Sequence, residues 1–225
     1  MADMPSPAFD RQEELLVNAL LALSRAIDAV SERIGRTIYW LVLVVVLISA
    51  ANATVRKAFN YSSNAYLEIQ WYLFSVIFLF SAGYVLLHNG HVRIDIISSR
   101  LSARAQNWID VLGLVFFLFP MAFVIMWFSW PLFMDSYTRN EVSTNSGGLT
   151  IWPARLLVPI GFFILIVQGT SELIKRIAFL RGLIPNPLEK IYAKTAEEEL
   201  AEEIARQREQ AEEAARQKLA EGNKP

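Results

Sequence analysis

Four long apolar runs constrain this chain more than any motif within it. They lie at about residues 37–53, 68–88, 108–134 and 153–171, and the charges among them fall near the ends, at Glu68, Asp110 and Arg155. A helix rises about 1.5 Å per residue, so roughly 20 apolar residues cross a hydrocarbon layer about 30 Å thick. The chain is 54% hydrophobic, with its apolar residues in blocks, which places it in the membrane class. The sequence therefore predicts an all-α membrane protein with four transmembrane helices. An N-terminal amphipathic interfacial helix precedes them and a charged C-terminal helical tail follows.

The flanks read differently from the spans. Within residues 1–36, Leu16, Leu20, Leu23, Ile27, Val30 and Ile34 recur at alternating spacings of four and three. That pattern puts one apolar stripe on a helix, with Glu14, Asn18, Arg25, Asp28 and Glu32 away from it. Such a helix suits the membrane interface, and a short coiled coil or a packing helix outside the membrane is the alternative. Residues 37–182 form the four-span domain. The first span contains Ala51-Asn52-Ala53, which imitates a signal-peptidase site. The long, acid-containing lead before it argues for an uncleaved anchor. Residues 183–225 form the tail, whose Glu202–Arg206 and Glu212–Arg216 spacings favour a solvated helix.

The net charge of −1 conceals a split. Residues 194–225 carry nine acidic and six basic side chains, leaving thirteen acidic and fifteen basic before them. Neither part has the basic excess of a nucleic-acid binder. With no cysteine, disulfides, thiolate catalysis and cysteine metal sites are excluded. Lys and Arg near the span ends number nine on the side shared by both termini and the second-to-third connection. The other two loops hold four: Arg56, Lys57, Arg139 and Arg155. This bias predicts cytoplasmic termini and agrees with an even number of spans.

The chemistry of transport is sparse. A coupled carrier needs carboxylates or broken helices near the membrane middle, whereas here Gln168 is the main strongly polar side chain within a span. His88 and His91 lie three apart at the end of one span, a spacing that cannot supply both faces of a haem iron. No nucleophile–His–carboxylate set and no phosphate loop is present. Asp95 suits either a basic group on another chain or solvent, and Glu68 either an interfacial anchor or a partner contact.

Three stretches carry a resemblance. Glu68 opens EIQWYLF, with Trp71 and Tyr72, and the span leaves through AGYVLLHNGHVRID, with Asn89, His91, Arg93 and Asp95. The third span ends on Ser129-Trp130-Pro131. Glu141 and Ser143 precede Trp152-Pro153 in NEVSTNSGGLTIWPARLLVPIGFF. Over roughly residues 35–182 the chain resembles the small membrane subunit of tripartite ATP-independent periplasmic (TRAP) transporters, the DctQ-like family. It is most similar to the mannitol/chloroaromatic-type branch. The resemblance implies an accessory, non-enzymatic subunit in the bacterial inner membrane. Its partners would be a large permease subunit, a periplasmic solute-binding protein and membrane lipid. Sodium would act at the large subunit, with no cofactor here, and the complex would take up a small organic solute, an organic acid. Glu68, Trp71, Tyr72, Asn89, His91, Arg93, Asp95, Glu141, Ser143, Trp152 and Pro153 become interface candidates, with no catalytic, cofactor or metal residue expected. A structural or assembly membrane protein unrelated to transport is the alternative.

Overall fold

A computed structural model describes residues 7–61, 63–89 and 101–187. The described residues contain four helices long and apolar enough to cross a membrane. Helix α1 spans Pro7–Phe59, α2 Asn64–Leu87, α3 Ala103–Thr138 and α4 Trp152–Leu180. The only extended pairing among them is an isolated antiparallel bridge between Val142 and Thr150.

Helix α1 is continuous for 53 residues. The segment expected as a separate helix over Arg11–Arg36 and the first span are therefore one element. No proline interrupts the junction, and Gly35 sits where Tyr84 of α2 packs, so the helix carries through although Gly35, Thr37 and Tyr39 are not strong helix formers. Ser102 caps α3, accepting from the Ala105 N–H at 3.3 Å. Just before Pro120 the helix widens into a π-helical turn at Leu114–Leu118. A proline ring crowds the carbonyl four residues back, here Phe116, and a wider turn relieves that clash. Helix α4 continues to Leu180, beyond the exit expected near residue 171, because the charges that suggested an exit are buried against other helices.

Helix α4 packs on α1, α2 and α3, and α1 packs on α2. Helices α1 and α2 run antiparallel: Tyr84 lies over Gly35, and Ser49 Oγ donates to Gln70 Oε1 at 3.0 Å. The interior is small and polar, with Ser24, Ser31, Asn107, Ser136, Gln168 and Ser171 buried beside Val45, Ala122 and Ala178. Outward faces are apolar: Trp71, Phe78 and Phe117 are each more than 70% exposed. This distribution suits a bundle in lipid, where close approach and hydrogen bonding, rather than hydrophobic burial, hold helices together.

Gly161 sets the approach of α4 to α2. A Cβ there would lie 2.7 Å from Leu79 Cβ and 3.3 Å from the Leu79 carbonyl oxygen. At Gly113 an added Cβ meets nothing within 4 Å. Gly161→Ala is expected to lower stability by roughly 1–3 kcal/mol through overpacking. Gly113→Ala should be neutral or stabilise by up to about 1 kcal/mol. Thermal unfolding of the purified variants in detergent checks the contrast.

Candidate functional site

The polar side chains of the bundle gather at its two ends. At one end, α2 begins beside the loop joining α3 to α4. That loop folds back on itself: the Ser143 N–H donates to the Leu149 carbonyl at 2.8 Å, and the Ile151 N–H to the Glu141 carbonyl at 2.9 Å. Glu68, in the second turn of α2 and only 8% exposed, holds the tip. Its Oε1 accepts from Ser143 Oγ and from Asn145 Nδ2 at 2.9 Å, and its Oε2 accepts from the Leu149 N–H at 2.6 Å. Tyr72, one turn on, donates to the Thr150 carbonyl at 2.8 Å, and Asn64 Nδ2 donates to the Ser146 carbonyl at 3.0 Å. The loop must lie close for these bonds. A Cβ at Gly148 would fall 2.5 Å from Ser143 Cβ and 2.9 Å from Glu68 Oε1.

Glu141 lies in the same loop and makes a different lock. Arg155, in the first turn of α4, grips its carboxylate with both guanidinium nitrogens, each at 2.8 Å, and reaches the Leu132 carbonyl of α3 at 3.3 Å. This fork-on-carboxylate geometry fixes orientation as well as distance. Trp152 opens α4 and meets Tyr137 edge-on, with ring centroids 5.5 Å apart, while Pro153 occupies the first turn, where its missing N–H costs no helix bond. Trp71 takes no part: its side chain is 72% exposed on the outer face.

At the other end, the start of α3, the end of α2, the last turns of α4 and the first half of α1 meet around buried charges. Asp28 Oδ1 accepts from Gln168 Nε2 at 3.0 Å and Ser171 Oγ at 2.7 Å, and its Oδ2 from Lys175 Nζ at 3.0 Å. Lys175 also binds Glu172. Arg176, 2% exposed, pairs with Asp110 at 2.8 Å and Glu172 at 3.5 Å, and donates to Asn107 Oδ1 at 3.3 Å and Asn89 Oδ1 at 3.2 Å. Asn89 follows α2 with a left-handed φ of 49°, a conformation that Asn tolerates better than most residues. Ser24 and Ser31 add hydroxyl bonds to Ser171 and Gln168. On the rim, His88 Nε2 lies 2.8 Å from Glu32 Oε2.

The structure thus joins Glu68, Tyr72 and Ser143 in one cluster and sets Glu141, Trp152 and Pro153 beside it. Asn89 belongs to the opposite end. His91, Arg93 and Asp95 lie outside the described residues. Sequence reasoning passed over Asp28, Asn107, Asp110, Ser171, Glu172, Lys175 and Arg176 as site residues. A signal was present: Ser24, Asp28 and Ser31 are spaced four and three, and Gln168, Ser171 and Lys175 three and four. Each set makes a polar stripe on one helix face.

Among the described residues, no group of three or more His, Cys, Asp or Glu is placed to hold a metal ion. Most of the polar groups at both ends instead bind one another, Gln70 Nε2 and Ser136 Oγ being buried exceptions. Together with the apolar exterior, this defines a multi-pass helical membrane protein whose polar chemistry joins helix to helix and loop to helix. The family model for the DctQ component of tripartite ATP-independent periplasmic transporters matches residues 45–179. The chain belongs to that family, the small component of these transporters and a transporter family rather than an enzyme family. No curated protein and no solved structure matches it.

Two outcomes follow from the locks. Glu68→Ala should expose the loop over residues 139–151, raising its proteolytic cleavage rate roughly ten-fold, because local opening governs nicking. Trp71→Ala should leave that rate unchanged. Arg176→Met removes the guanidinium that pairs with Asp110 and Glu172, leaving Glu172 to Lys175 alone, and should cost about 3–5 kcal/mol, read as a fall in unfolding midpoint.

Proposed function

We propose that this chain is the accessory brace of a TRAP transporter of the mannitol/chloroaromatic-type branch. It holds a large permease subunit in the bacterial inner membrane while that subunit performs sodium-driven uptake of a small organic acid delivered by a periplasmic binding protein. Sodium acts on the large subunit, and no cofactor acts here. Both termini are cytoplasmic, so the Arg176 cluster faces the cytoplasm and the Glu68 loop the periplasm. The Lys and Arg bias of the loops supports that orientation.

The observation that carries this reading is where the polar groups go. Glu68, Glu141, Arg155, Asp28, Lys175 and Arg176 all bind other parts of the same chain. A carrier keeps such groups for its solute or ion at the membrane middle. Here they close the two ends, and the wide apolar faces between them offer packing surface to lipid and to a partner. An element with an apolar exterior and a polar interior bonded largely within itself is what a stationary scaffold needs from a small subunit.

Reconstitution tests the proposal. The purified chain in proteoliposomes should show no solute uptake above empty vesicles under an inward sodium gradient. Adding a large permease subunit of the same transporter and the matching binding protein should establish uptake. Sodium-driven uptake by this chain alone would contradict the accessory role.

A further inference from the structure

The brace reading leaves one face of α1 unexplained. At 1.5 Å per residue, α1 is about 80 Å long, whereas α2, at about 36 Å, already crosses a hydrocarbon layer of about 30 Å. Tyr84, near the end of α2, lies against Gly35. The part of α1 before Gly35 therefore runs past the level at which α2 ends. Among the described residues, only the last turns of α4 accompany it there, through Ser24, Asp28 and Ser31. The apolar stripe of the same stretch is left uncovered: Leu16 is 65% exposed, Leu20 48%, Leu23 51% and Val30 60%.

The stripe follows a strict four-three repeat, the 3.5-residue period of a coiled-coil seam. Leu20, Ile27 and Ile34 take the first apolar position of the heptad, and Leu16, Leu23 and Val30 the second. Mainly β-branched residues at the first position with Leu at the second favour two parallel strands. The residues flanking the seam from Leu16 to Ile34 are Val17, Ala19, Ser24, Ala26, Ser31 and Arg33. Only Arg33, at the membrane end, is charged, so two identical helices meet without like-charge repulsion as far as Ser31. Asp28, Arg25 and Glu32 point away from the seam. Two copies inserted with the same topology also present α1 in the same direction, as a parallel pair requires.

We propose that the seam from Leu16 to Ile34 is a homodimer interface, in which α1 of a second copy packs in parallel against α1 outside the hydrocarbon layer. The pairing is isologous, each copy offering the same stripe. It leaves the outward faces of α2, α3 and the membrane part of α4 open to lipid or to another subunit.

The absence of cysteine from the chain allows a clean test in the full-length protein, co-expressed with its neighbouring subunits in native membranes. Leu20→Cys and Leu23→Cys place a thiol on the seam, and Arg25→Cys places one on the opposite face. After mild oxidation, the seam variants should run at twice the 25.5 kDa monomer mass on a non-reducing gel. Their yield should exceed that of Arg25→Cys by about ten-fold, because only seam positions bring two Cβ atoms within disulfide reach. Adding Ile27→Glu to Leu20→Cys should abolish the crosslink while the protein still inserts and resists protease. Equal crosslinking at Arg25 and Leu20, no dimer band from any seam position, or capture of a different protein at the seam would each overturn the proposal.

Discussion

A guanidinium buried where helix ends meet is the constraint on which this structure depends. Arg176 leaves α4 at 2% exposure and reaches Asp110 and Asn107 on α3 and Asn89 at the end of α2. Its neighbour Lys175 extends the network to Asp28 on α1. An ion buried so deeply is stable only with its counter-charges in place. The cluster consequently fixes all four helices relative to one another at once. It also explains why α4 passes its expected exit: the charges of that stretch are satisfied inside the protein, and the helix has no need to end at water.

The opposite end uses a different device. There the element to be fixed is a loop, and Glu68 fixes it through a backbone N–H, a hydroxyl and an amide. Arg155 and Glu141 tie the same loop to the start of α4. Between the two ends the packing rests on small residues such as Gly161 and Ala122, because lipid gives apolar side chains no reason to turn inward. The result is a bundle locked at its ends and closely packed between them.

Much of this was legible in the sequence. The four spans follow from apolar length alone, and the motif residues Glu68, Tyr72 and Ser143 proved to be neighbours. Their joining was not legible, because 75 residues separate Glu68 from Ser143 and only folding sets the rotation of α2 toward the loop. Asp28, Glu172 and Arg176 were harder still. Charges at the end of an apolar helix read by default as an edge facing water, and nothing in one helix reveals that another carries the complementary stripe some 140 residues away. Asp28 and Lys175 each make sense only once the other is known. The break expected between the N-terminal amphipathic helix and the first span failed for a related reason. A change in composition from amphipathic to apolar is no signal for ending a helix when no proline or turn sequence lies at the junction.

The central claim is that the bundle is a stationary brace, held at both ends and unchanged while its partner moves. Because the chain has no cysteine of its own, spin labels can be placed on the outward faces at Leu43 of α1 and Phe163 of α4. The distance between them can then be measured by pulsed electron resonance in the assembled transporter. The account predicts one distance distribution, the same with and without sodium and solute. A shift of about 5 Å or more on loading, the scale of one helical turn of sliding, would contradict it.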